Sequence, residues 1–143
     1  MRKASEKILL LDTHVWIWLM NGAEPLKSSK ILPQIEEGVR DSRIRVSAIS
    51  VWEVAMLEAK GRIHFSLNCL DWVEAALSAP GISLVPLTPE IAVESTRLPG
   101  KFQGDPADRI LVATARKLNA ILMTQDKEII KYAQQNYLSA TTL

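Results

Sequence analysis

The run Ile8-Leu9-Leu10-Leu11 contains no polar residue and ends after four positions. A segment so short and so apolar suits a strand buried on both faces, as in a parallel sheet covered by helices on either side. The same pattern recurs at residues 45–49, 82–87 and 120–123, and a terminal strand is expected at 138–142. Between these runs lie helical signals. Residues 13–20 form a short apolar helix, residues 50–60 (SVWEVAMLEAK) are rich in helix formers and stop at Gly61, and residues 70–79 stop at Pro80-Gly81. Thr88-Pro89-Glu90 reads as a cap, a first-position proline and an acid. From 105 to 118, Ala107, Ile110, Leu111, Thr114 and Leu118 follow the spacing of one helical face, and a last helix is expected at 127–135. Strands alternating with helices predict an α/β fold with a mostly parallel sheet and helices on both faces.

The chain has 143 residues, which suits one domain burying roughly 68–70% of the surface its unfolded form exposes. With 48% hydrophobic and 23% charged residues, neither disorder nor a fibrous repeat is indicated. Cys69 stands alone, which excludes an internal disulfide and a cysteine-based zinc cluster. It is expected to be a small buried apolar residue, and the absence of cysteine pairs suits a reducing cytoplasm. The opening MRKASEK before ILLL imitates a signal peptide, but Asp12 and His14 interrupt the apolar part, so secretion is not expected. A membrane span needs about 20 apolar residues, and no such stretch is present. The loop LPGKFQG (98–104) is the most irregular piece and leads into a helix without dividing the chain.

In an open parallel sheet, ligands bind beyond the carboxyl ends of the strands. The acids at such ends are Asp12 after the first strand, Glu53 in the first turn of the second strand's helix, Asp108 in the first turn of the helix from Asp105, and Asp126 beyond AILMT. Each has a plain local explanation. Ser50 with Glu53 reads as a capping box, and Asp12, Asp105 and Asp126 read as helix caps. Together they ask for more, because four carboxylates on one sheet edge repel one another unless a cation is present. Without cysteine or a histidine set, such a site favours Mg²⁺ or Mn²⁺, and its natural chemistry is phosphodiester hydrolysis. The 17 Lys and Arg then face only 12 remaining acids, so the rest of the surface is net basic and suits a polyanion.

LLLDTHVWIWL, SAISVWEVAMLEAKGRI and LPGKFQGDPADRILVATARKLNAILMTQD resemble, in order and over nearly the whole chain, the PIN-domain ribonucleases, in particular the VapC-type toxins of toxin–antitoxin pairs. The resemblance implies a three-layer α/β/α sandwich and a Mg²⁺- or Mn²⁺-dependent endoribonuclease, with tRNA or another structured RNA as substrate. It also implies a homodimer neutralised by an antitoxin. Carried over by position, Asp12, Glu53, Asp108 and Asp126 match the family's acids, and Thr13 and Thr124 match its small hydroxyl positions. Asp105 is a cap or an outer-shell acid, and Arg109 is a substrate-phosphate contact. His14 is not expected to act as a base. Trp16, Trp18, Trp52 and Trp72 are expected in the core or at interfaces, with the helix bearing Trp16 and Trp18 as a candidate dimer or antitoxin contact. Two other readings use the same residues: a PIN-related nuclease acting on DNA or in RNA processing without a toxin role, and a binding module whose acids only cap helices.

Overall fold

The computed structural model describes residues 6–143, so the signal-like opening falls largely on residues 1–5, outside the described residues. In chain order the elements are β1 (Leu9–Leu11), α1 (Thr13–Asn21), α2 (Leu32–Arg40), β2 (Ile44–Ser47), α3 (Ala48–Ala59), α4 (Cys69–Leu77), β3 (Ile82–Val85), α5 (Pro89–Ser95), α6 (Pro106–Leu118), β4 (Ile121–Met123), α7 (Lys127–Gln134) and β5 (Ser139–Thr141). The strands form one sheet in the order β3-β2-β1-β4-β5, and every pairing is parallel. From β1 the chain builds outward through β2 to β3, then returns to the other side of β1 with β4. The order therefore reverses between β1 and β4, which makes that gap the sheet's switch point.

Alternating side chains of the strands feed two cores. Leu9, Leu11, Ile44, Val46, Ile121 and Met123 pack with residues of α1, α2, α3 and α4. Leu10 and Leu122 point the other way and pack with α5, α6 and α7. The result is the expected α/β/α arrangement. Among the described residues no helix is long and apolar enough to cross a membrane.

The structure corrects several sequence expectations. Helix α2 is not among the elements expected from the sequence. Pro33 lies in the first turn, where a missing N–H costs nothing, and Gly38 is buried where a Cβ would sit 2.8 Å from Ile44 Cδ1 and 2.9 Å from Leu9 Cδ1. Glycine is thus what lets α2 approach the sheet. Helix α3 starts two residues before the expected 50, and its cap is Ser47, whose side chain accepts from Ile49 N. The Ser50–Glu53 capping box is therefore absent, and Glu53 lies in the second turn instead of the first. Cys69 is only partly covered, at the start of α4 on the margin of the larger core.

Trp16 is 0% exposed, packed 5.1 Å between ring centroids from Trp72, which stacks on Phe65. It cannot touch a partner, so the proposed interface role of the Trp16–Trp18 pair fails at Trp16. Trp52, on α3, is the tryptophan that faces outward, at 57% exposure. Trp16→Ala should cost about 3–5 kcal/mol of stability in urea unfolding. Trp52→Ala should stay within about 0.5 kcal/mol of the parent.

Candidate active site

Parallel pairing sets the site's frame. Leu11 is paired with Met123 on one side and Val46 on the other, so the next residues in each strand, Asp12, Thr124 and Ser47, form a row along the carboxyl edge. Asp12 N donates to Met123 O at 3.0 Å, which continues the ladder one step into the gap between β1 and β4. Thr124, completely buried, donates its hydroxyl to Asp12 Oδ2 at 2.5 Å, and Thr124 Oγ1 in turn accepts from Asp126 N at 2.9 Å. Asp12 Oδ1 accepts from Thr13 N at 2.7 Å, capping α1.

A second hydroxyl network reaches Glu53. Thr13 Oγ1 lies 2.6 Å from Glu53 Oε1 and 2.9 Å from Ser50 Oγ, with both hydroxyl residues buried. A hydroxyl has one proton. The assignment that satisfies every atom has Ser50 donating to Thr13 and Thr13 donating to the Glu53 carboxylate. Ser50 therefore belongs to the site's scaffold, which sequence reasoning missed. The signal was present in the three-residue step from Ser50 to Glu53, which puts both on one face of α3.

The other two acids come from α6 and α7. Asp105 caps α6 by accepting from Asp108 N at 2.8 Å, so the cap and the acid three residues on are locked together. Asp126 caps α7 through Glu128 N and Ile129 N at 2.8 and 3.1 Å. The caps expected for Asp12, Asp105 and Asp126 are all present.

These carboxylates feel one another. Burial, followed by the charges of Asp105, Asp126, Asp12 and Glu53, lifts the Asp108 carboxyl from 3.8 to about 7. Burial also raises Asp12 and Glu53, against the lowering effect of the Thr124 and Thr13 hydrogen bonds respectively. Among the described residues none of the five acids makes an ion pair. Nor do any three His, Cys, Asp or Glu side chains stand close enough, as they lie, to hold an ion. The donor chemistry fits a hard divalent cation in type and number, while the carboxylates form a loose cluster about Asp108 rather than a closed cage. His14 is exposed on α1, beside Trp18.

Arg109, expected at a substrate phosphate, has its guanidinium engaged elsewhere. Nε donates to Ser95 O at 2.8 Å and a terminal nitrogen to Phe102 O at 2.9 Å. It ties the end of α5 and the 98–104 loop to α6.

Three comparisons bear on this arrangement. The PIN domain family model matches residues 9–135. Ribonuclease VapC22 of Mycobacterium tuberculosis (strain ATCC 25618 / H37Rv) is 36% identical over 121 residues, spanning 85% of this chain and 88% of that protein. Among solved structures, VapBC2 from Rickettsia felis bound to a promoter DNA fragment superposes with a TM-score of 0.66 at 17% identity, covering 94% of this chain and 98% of that one. DNA-bound VapBC from Salmonella typhimurium gives 0.66 at 13% identity, covering 95% and 98%. At such identities the two structures speak for the fold.

The raised Asp108 carboxyl has a consequence for stability. Between its ordinary 3.8 and about 7, the folded state holds a proton that the unfolded state has released, so stability falls as pH rises through that interval. Asp12 and Glu53, also raised, act with the same sign. In EDTA, the thermal midpoint should therefore fall from mildly acidic to neutral pH. Asp108→Asn should flatten that slope and be the more stable protein above pH about 7, as scanning calorimetry would read.

Proposed function

The chain belongs to the PIN-domain family, and on that premise we propose that it is a metal-dependent endoribonuclease serving as the toxin of a toxin–antitoxin pair. The observation that carries the reading is the cluster of carboxylates at the switch point, positioned by hydroxyls and backbone amides and, among the described residues, ion-paired with no basic side chain. Mutual repulsion and burial oppose ionisation there, so a divalent ion has a proton to displace at Asp108 and negative charge to neutralise at its neighbours.

Asp12, Glu53, Asp108 and Asp126 would hold Mg²⁺, or Mn²⁺ in its place, and the bound ion would polarise the phosphoryl group and activate water for in-line attack. The chain's own part is preparation. Thr124 fixes one oxygen of Asp12 and the Thr13 amide the other, so that carboxylate cannot swing away. Thr13, backed by Ser50, turns Glu53 toward the same opening. Asp105 holds the first turn of α6 and adds negative charge beside Asp108, the part of an outer-shell acid. The chain acts as one unit over residues 1–143, in the cytoplasm, and pairs as a homodimer. Exposed apolar side chains at Trp52 and Val93 suit contacts with a second copy or with the antitoxin.

Purified protein should cut RNA in Mg²⁺ or Mn²⁺ and stop in EDTA. Asp12→Asn or Asp108→Asn should lower cleavage by more than about a hundredfold, with circular dichroism unchanged. Metal-dependent cleavage retained by both variants would sink the site assignment, and preference for labelled DNA over RNA would redirect the substrate. Saturating metal should also raise the unfolding midpoint of the parent, by about 2.7 kcal/mol at a hundred times its Kd, and much less in Asp108→Asn.

A further inference from the structure

A groove of about 450 Å³ lies between the 98–104 loop and helix α7, lined by Gly100, Lys101, Gln103, Lys131, Gln135 and Tyr137 among others. Its α7 side consists of Glu128, Lys131, Tyr132 and Gln135, spaced i, i+3, i+4 and i+7, so one continuous face of the helix is turned to it. Both walls run in sequence into residues of the acid cluster. Gln103 is two residues before Asp105, and Glu128 is two residues after Asp126. Along α7 the lining steps away from the Asp126 cap, from Glu128 in the first turn to Gln135 at the helix end.

Its loop wall is held rigidly. Tyr132 Oη donates to Pro99 O, and Arg109 donates to Phe102 O. Tyr137 stacks on Tyr132 at 4.7 Å and presses on Gly100, where a Cβ would fall 2.5 Å from the Tyr137 ring. Gly100 has φ +68, so both its backbone and its contacts exclude a side chain there. Such tethering keeps two exposed ammonium groups, Lys101 and Lys131, on opposite walls of one groove. Among the described residues neither makes an ion pair. Glu128, the carboxylate in the lining, is on the turn nearest the acids, so the cationic part of the groove is the part farther from them.

We propose that this groove holds the single-stranded stretch of RNA flanking the scissile bond, with Lys101 and Lys131 on its phosphates and the Gln103 and Gln135 amides on its sugar or base edges. The inference rests on the ribonuclease reading above and adds to it where the substrate lies. The acid cluster repels a polyanion on approach, and two cations displaced along the strand offset that without entering the reacting centre. Amides that both donate and accept suit a strand whose bases are unpaired.

The test is binding of a fluorescein-labelled, mixed-sequence oligoribonucleotide in EDTA, followed by anisotropy across a salt series, for the parent and for Lys101→Gln/Lys131→Gln. The double variant should bind about tenfold more weakly, and its log–log salt slope should be shallower by about 1.4, about 0.7 per lost contact. Both lysines are exposed, so the variant's thermal midpoint should match the parent's. Unchanged affinity and slope would overturn the inference. Displacement of the RNA from the parent by inorganic phosphate beyond that caused by chloride of equal ionic strength would also overturn it, marking a free-anion site. Failure of the ribonuclease reading shows separately, as absence of metal-dependent cleavage by the parent.

Discussion

The rest of the structure depends on the parallel pairing of β1 with β4 and on the Thr124–Asp12 hydrogen bond that extends it. Register places Leu11 opposite Met123, so the first residue past each strand end meets its counterpart across the switch point. A slip of one residue would turn Leu9 and Leu11 toward α5–α7 and carry Asp12 off the edge. The two cores prevent that, because Leu10 and Leu122 already occupy the opposite face. Packing energy spread over the whole sheet thereby holds the position of one carboxylate.

Capping and site geometry are the same interactions. In a chain that alternates strand and helix, each helix start beyond a strand falls at the carboxyl edge, where unpaired N–H groups and the positive end of the helix dipole favour an acid. Asp12 and Asp126 each satisfy such a start, and Asp105 caps α6, which follows α5 and the 98–104 loop yet opens beside the same acids. Three helix starts crowded round one switch point then bring their caps within electrostatic reach of Asp108 and Glu53, and the local benefit becomes a shared repulsion. That tension opposes the metal-free fold and favours cation binding.

The sequence carried the acids by position and, through the resemblance, the hydroxyls of Thr13 and Thr124 beside them, but not the Ser50 that backs Thr13. Asp12, Asp108 and Asp126 were legible because each follows an apolar run or opens a helix. Glu53 was legible as an acid on the second strand's helix, yet its turn was misjudged, since Ser47 and Ser50 are both plausible caps in SAIS and only the end of β2 chooses Ser47. Helix α2 was not read from the sequence, and its Pro33 and Gly38 fit only through first-turn placement and close approach to Ile44 and Leu9. Arg109 is a different case. Its charge beside Asp108 suggested a phosphate, while in the fold its guanidinium donates to the Ser95 and Phe102 carbonyls, a pairing set by how α5 and the 98–104 loop pack on α6.

By itself the sequence determined the class of fold, the approximate elements, and which residue types could gather at a strand edge, because apolar periodicity and cap chemistry act over a few residues. Tertiary structure decided which of those residues meet. The Thr124–Asp12 bond spans 112 positions and the Thr13–Glu53 bond 40, and Trp16 and Trp72 rather than Trp52 are the buried indoles. Such choices depend on register, helix rotation and the approach of one layer to another, which arise only when both cores close on the sheet at once.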